Sequence, residues 1–258
     1  VAVGGPAIAS PPESAAPGLA VIIDDLGYSM ARGRRAIELP GPVTLAVLPF
    51  TPMSAELAAL ATERGQDVIL HQPMQSVYPD ARAAPGTLTE SMPLASFRRT
   101  LELALDTLPQ AIGVSNHTGS LLTTQAQPMS WLMAEVSTRG LFFVDSRTTP
   151  ATVALATAIA AGVPSLRRDV FLDHVLDPAA IAENFERAIG IARRNGHAVL
   201  IAHPHDVSMS FLERVLPALS ARGVEQVRLK SLVDLRPTNP AVAAQLQNPT
   251  SPHTAPGL

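Results

Sequence analysis

Five apolar runs in this chain each end on a residue able to do chemistry. Leu19 to Ile23 leads into Asp24-Asp25, and Val68-Ile69-Leu70 leads into His71. Ile112 to Ser115 leads into Asn116-His117, Leu141 to Val144 into Asp145, and Ala198 to Ala202 into His203. Buried parallel strands read as continuous apolar runs. In a barrel of such strands the residues at the C-terminal ends converge on one mouth. Carboxylates and imidazoles gathered there are the donors of a divalent-cation site and the acids and bases of a hydrolase.

Each signal has a competing structural reading. Two adjacent acids after five apolar residues are costly near a core unless paired or metal-bound. Strand alternation predicts that one of Asp24 and Asp25 faces the axis and the other the loop; the rival reading is a cap for a helix beginning near Ser29. His71 closes the third strand, and Gln72-Pro73-Met74 is expected to break the ladder there. In Asn116-His117-Thr118-Gly119-Ser120, Gly119 permits a tight turn or close ligand approach. His117 can ligate a metal through a neutral imidazole. Asp145 can orient a histidine or a substrate hydroxyl, and Arg147 can meet an anionic group or pair with Asp145. A helix-capping turn before Thr149-Pro150 is the alternative. Asp173 or His174 either approaches the mouth or marks a solvated strand end. His203 continues a strong strand and suits a general acid; His205 is the weaker candidate, and His197 and His253 read as surface residues. The sequence holds no nucleophile elbow, Gly-rich phosphate loop or helix-borne H-E-x-x-H.

These residues need elements to hold them. Strands are expected at 19–25, 43–48, 67–71, 112–116, 141–145, 169–172, 198–203 and 225–229. Helices are expected at 29–38, 53–64, 94–107, 127–139, 149–161, 178–195 and 208–222. Asp177-Pro178 supplies an N-cap followed by proline at the first helical position. Arg64-Gly65, Arg139-Gly140, Asn195-Gly196 and Arg222-Gly223 read as stops. The alternation predicts an α/β fold with a parallel sheet and helices outside it. Seven or eight units suggest a closed or nearly closed barrel, with an open doubly wound sheet as the alternative. One domain is expected over 18–236, flanked by a Pro/Ala-rich linker at 1–17 and a tail at 237–258. The irregular stretch 72–93, with Pro73, Pro79, Pro85 and Gly86, is expected to lie over the mouth.

Bulk composition narrows the classes. The 258 residues are 47% hydrophobic and carry a formal net charge of −3, which gives no electrostatic case for nucleic acid as a partner. Cysteine is absent, so any metal must sit on His, Asp, Glu or backbone oxygen. No run of about 20 apolar residues is present to span a membrane. The chain begins at Val1, and its first residues read as a linker downstream of a removed signal or anchor. The expected location is the cell envelope or periplasm.

Taken together, Ile22-Ile23-Asp24-Asp25-Leu26-Gly27, Leu70-His71-Gln72-Pro73-Met74, Asn116 to Ser120, Val144 to Thr148 and Ala202-His203-Pro204 resemble the divergent polysaccharide deacetylase family. That family is a branch of the NodB-homology carbohydrate esterases. The resemblance covers about 18–236, with five motifs in order. It implies a distorted (β/α)7-8 barrel and a divalent cation, commonly zinc, on one Asp and two His. Carried over by motif, Asp24 is the base, Asp25, His71 and His117 hold the metal, and His203 is the acid. Asn116, Ser120, Asp145 and Arg147 fall where substrate would be positioned. The implied reaction is removal of N- or O-linked acetyl groups from a glycan; the alternative is a non-catalytic glycan- or protein-binding envelope protein on the same scaffold. Two departures stand out. Ordinary members place two metal histidines four residues apart, but position 75 is Gln. Their Arg-Pro-Pro-Tyr motif is missing, and His117 lies about where it would be.

Overall fold

The computed structural model describes residues 16–78 and 84–234. Nearly all of the expected linker and tail lies outside them, as does Pro79 of the irregular stretch. The elements run β1 (Gly18–Leu26), α1 (Met30–Ile37), β2 (Thr44–Val47), α2 (Ser54–Glu63), β3 (Asp67–Met74), α3 (Leu94–Asp106), β4 (Gly113–Thr118), α4 (Ala126–Thr138), β5 (Phe142–Asp145) and α5 (Ala154–Ala160). They continue with β6 (Ser165–Arg167), β7 (Val170–Phe171), α6 (Pro178–Asn195), β8 (His197–Ala202), α7 (Asp206–Val215), β9 (Glu225–Gln226) and α8 (Leu229–Asp234).

All pairings are parallel, in the order β6-β5-β4-β3-β2-β1-β8-β7, with β9 against the start of β1. The ends of that path, β6 and β7, are separated in the chain only by Arg168 and Asp169. So short a link reaches about 10 Å at most, which requires the sheet to curl until its edges nearly meet. The link is stitched to both sides. Arg168 N–H donates to Asp145 O of β5, and Asp169 exchanges hydrogen bonds with Val199 of β8. The fold is a distorted (β/α) barrel, and the open doubly wound alternative is set aside.

Alternation along the strands divides the core in two. Leu19, Val21 and Ile23 of β1, Val68 and Leu70 of β3, Val114 of β4, and Ala198 and Leu200 of β8 pack with the helices. Ala20, Ile22, Ile69, Val144, Val199 and Ile201 pack inside the curl, together with Leu229, Leu232 and Val233 of α8. Because β9 pairs with the first residues of β1, α8 plugs the end of the barrel opposite the strands' C-termini. The other end remains for polar groups. Burial of both faces of β1, β2, β3, β5 and β8 is what the continuous apolar runs record.

Several local expectations need correction. β3 does not break at Gln72-Pro73-Met74: it runs through Met74, with Pro73 opposite His117 and Met74 opposite Thr118. Pro73 has no N–H to give, but its carbonyl accepts from Leu88 N. The strand expected at 169–172 is β7, only Val170–Phe171, and β6 at Ser165–Arg167 precedes it where no strand is expected, because its apolar run is too short to stand out. α5 begins only at Ala154, after a turn. α7 ends at Val215 and passes into 3-10 turns, since Pro217 cannot continue it. The 225–229 run yields only a two-residue strand before α8.

Candidate metal and acid–base site

The inward parity that places Ala20 and Ile22 inside the curl carries on to Asp24. The same extension takes Ile69 to His71, Gly113 to Ser115 and His117, Val144 to Ser146, and Ile201 to His203. These side chains meet at the C-terminal end of the barrel, where Asp24, Asp25, His71, Asn116, His117, Ser146, Phe171 and His203 are among those lining a cavity of about 180 Å³. The expected one-in, one-out split of Asp24 and Asp25 does not occur. The β1–β2 register shifts between Ile23 and Leu26, and Asp25 adopts φ 59°, the left-handed region. A bulge re-aims side chains in this way, and Asp accepts left-handed backbone more readily than most residues. Gly27, at φ 127°, completes the turn: a Cβ there would lie 2.0 Å from Thr51 Oγ1.

As a result both carboxylates face His71. Its Nε2 lies 3.5 Å from Asp24 Oδ2 and 3.3 Å from Asp25 Oδ1. Asp25 Oδ1 is also 2.8 Å from His117 Nδ1. Although that atom is buried, it makes no aligned hydrogen bond, and Asp24 Oδ1 is likewise without one. The ligand atoms of Asp25, His71 and His117 all lie within 4.8 Å of one another. Donors that crowd together without pointing at each other fit a shared cation: tetrahedral zinc ligands at usual bond lengths stand about 3.3 Å apart. On the far side of His71, Nδ1 is 2.8 Å from Ser115 Oγ, its register partner on β4. If Nδ1 donates there, Nε2 faces the carboxylates with its lone pair, as a ligand must.

Electrostatics separates the two acids. Burial pushes the Asp24 carboxyl above its ordinary range, with the neighbouring imidazoles offsetting only part of the effect. Burial also acts on Asp25, but there the His117 and His71 imidazoles outweigh it and hold the carboxyl far below its usual value. Burial would depress His71, yet Asp24 and Asp25 beside it raise its pKa.

His203 closes the site from β8. Its Nε2 is 3.9 Å from Asp25 Oδ2, and its Nδ1 is 2.8 Å from Asp173 Oδ1. Asp173 Oδ2 accepts from His203 N at 2.7 Å and Ser208 Oγ at 2.6 Å. Burial is outweighed by Asp173 and the other nearby carboxylates, which raise the His203 pKa to about 9. Asp173 is held low despite burial by His203 and Ser208. Asp173, His203 and His205 form a second group within ligand distance. Its carboxylate is already saturated by three hydrogen bonds, so the first group is the better cation site.

Other expected residues land elsewhere. Asp145 falls on the helix-facing parity and is buried. Its oxygens accept from Arg147 N, Thr152 Oγ1 and Leu155 N, so it braces the turn into α5, as the capping alternative had it. Arg147 has φ 50° and does not line the cavity. Ser120 Oγ bonds Ser76 Oγ and Val77 N, away from the cavity. Asn116 lines it, but with its amide engaged by Thr118 O and Ser146 N. Ser146 Oγ is buried with no partner and lines the same cavity. None of the described residues of 72–93 lines the cavity. Gln75 N bonds Leu88 O and Leu88 N bonds Pro73 O, so they fold back beside β3. Ser115, Ser208 and Phe171 were not anticipated, and Asp173 only as one of two possibilities. Ser115 could have been found, since it sits two residues before His117 on the same strand face.

A curled parallel sheet with two carboxylates and three imidazoles at its C-terminal mouth defines a NodB-type deacetylase scaffold. The chain matches the model of the divergent polysaccharide deacetylases over residues 21–233, and it belongs to that family. The uncharacterized protein YibQ of Escherichia coli is 34% identical over 198 residues, covering 77% of this chain and 62% of that one. The chain thus spans less than two thirds of that relative's length. The uncharacterized protein ATU2773 of Agrobacterium tumefaciens superposes with a TM-score of 0.81 at 26% identity, covering 86% of this chain and 92% of that one. The catalytic domain of a peptidoglycan N-acetylglucosamine deacetylase from Eubacterium rectale superposes with a TM-score of 0.54 at 15% identity, covering 86% and 94%, and shares the fold. No helix among the described residues is long and apolar enough to cross a membrane.

Proposed function

We propose that this protein hydrolyses acetyl groups, N- or O-linked, on a glycan, using a divalent cation held by Asp25, His71 and His117. The observation that carries this reading is the convergence of those three side chains, from three strands, around buried carboxylate atoms without hydrogen bonds. A cation bound there would supply Lewis-acid polarisation of the acyl oxygen and a more acidic water, with zinc the commonest choice for such donors.

The remaining groups supply acid–base chemistry. Asp24, whose carboxyl is raised by burial, is the stronger base of the two acids and takes a proton from the attacking water. The water oxygen bonds to the acyl carbon, and the bond from that carbon to the sugar nitrogen or oxygen breaks. His203, kept protonated at neutral pH by Asp173, gives its proton to the departing atom. Ser146 Oγ, unpartnered on the cavity wall, is available to a substrate oxygen. The carbohydrate class is supported by membership of the divergent polysaccharide deacetylases.

Acetate release from N-acetylated and O-acetylated oligosaccharides by zinc-reconstituted protein tests the reading. Asp24→Asn is expected to lose turnover while retaining stoichiometric metal. Metal-loaded wild type that releases no acetate from any acetylated glycan would overturn it in favour of a glycan- or protein-binding role.

A further inference from the structure

Beside the site lies a second pocket of about 180 Å³, whose walls include Asp25, Tyr28, Ser29, Arg32, His203 and His205. It shares only Asp25 and His203 with the first cavity, so that pair stands between the two spaces. We propose that this pocket holds the sugar from which the acyl group departs, and that this sugar carries a carboxylate recognised by Arg32.

The placement rests on the hydrolase reading. An acyl carbon near Asp25, His71 and His117 puts its leaving atom toward the proton donor His203, and the sugar bearing that atom then extends past His203. The pocket is roomy enough for about one pyranose ring. Tyr28, 59% exposed at its rim, offers an aromatic face on which the C–H side of a sugar can rest.

The carboxylate follows from charge. Arg32 makes no side-chain hydrogen bond or ion pair among the described residues. Its neighbour one turn on, Arg35, is fully engaged by Asp206, Glu213 and Ser210 of α7. The nearby acids are therefore committed: Asp206 and Glu213 to Arg35, Asp25 to the cation site it shares with His71 and His117, and Asp173 to His203 and Ser208. A guanidinium on a pocket wall with no protein anion to meet is suited to forked recognition of a ligand carboxylate. His205 lines the same pocket, with its ring centroid 5.9 Å from that of His203, and its imidazole adds a second donor.

Calorimetry on the full chain separates this from a neutral-sugar pocket without requiring turnover. The probes are an N-acetylglucosamine tetramer, a disaccharide whose N-acetylated sugar itself carries a lactyl ether carboxylate, and, as a control with the carboxylate on the neighbouring sugar, a hyaluronan tetramer (alternating N-acetylglucosamine and glucuronate). The lactyl ether probe is expected to bind about tenfold more tightly than the neutral tetramer. A preference shown by the hyaluronan tetramer alone would place the carboxylate on the adjacent sugar and overturn the proposal. Arg32→Gln is expected to erase the difference while leaving Tm and neutral-tetramer affinity unchanged, and Tyr28→Ala to weaken all probes together. Equal affinities in wild type, no binding of any probe, or a preference that survives Arg32→Gln would overturn the proposal. Acetate release measured on the same samples reports separately on the hydrolase reading.

Discussion

Asp24 and Asp25 are consecutive in the chain, yet both carboxylates address one nitrogen, His71 Nε2, at 3.5 and 3.3 Å. Regular strand geometry forbids this, and the bulge with its left-handed Asp25 allows it. The backbone at Asp25 is therefore part of the site.

That backbone gives a first prediction. In metal-free protein, Asp25→Gly should be more stable than Asp25→Ala by about 1 kcal/mol, because only glycine takes φ near 59° without steric cost. Urea unfolding of the two variants checks this. The opposite order, which ordinary strand positions give, would mean that the bulge relaxes when the carboxylate is removed.

The Ser115 contact behind His71 gives a second. Ser115→Ala leaves all three donors of the cation site in place but frees the His71 ring and its tautomer. Zinc affinity, measured by competition with a chromophoric chelator, should fall about 10- to 100-fold. His117→Ala should fall further, since it removes a donor outright.

A third concerns pH. The His203 pKa, about 9 in the fold, lies above its ordinary 6.5, so its interaction with Asp173 stabilises the metal-free protein fully below 6.5 and is lost as pH rises through about 9. Asp173 has the opposite sign: its carboxyl is held low, so its contribution is present in full above 3.8 and is lost as pH falls from there through its depressed folded value. Asp173→Asn should bring the His203 titration, followed by NMR in metal-free protein, down by at least about one pH unit. The alkaline limb of the activity profile should shift the same way. An unmoved limb would remove His203 as the acid.

Closure of the sheet supplies a fourth. Arg168 donates to Ser146 O and Arg147 O and lies 3.7 Å over the Phe171 ring, which in turn packs on His203. Burial and the neighbouring Arg147 lower its pKa to about 10, so the charge is retained at neutral pH. Arg168→Ala should reduce unfolding free energy by about 2 kcal/mol. It should also slow turnover, by loosening the strand carrying Phe171.

What could be read ahead of the structure followed physical regularity. β1, β3, β4 and β8 announce themselves because both faces are apolar, and His71, His117 and His203 could be read because each extends such a run. Asp145 misled for the same reason. It also ends an apolar run, but on the helix-facing parity, and only the residue-by-residue register distinguishes the two faces. Side-chain direction at Asp25 was hidden because a bulge depends on pairing with β2. Asp173 was ambiguous because its strand, β7, is two residues long and borrows its place from β8. Pro73 read as a breaker because its pairing depends on Leu88, a residue distant in the loop.

The most direct measurement is an anomalous-difference map from a crystal soaked in zinc. The account predicts one strong peak within bonding distance of Asp25, His71 and His117 together, with Asp24 and His203 on its open sides. A peak on Asp173, His203 and His205 instead, or none with those three donors ordered, would contradict it.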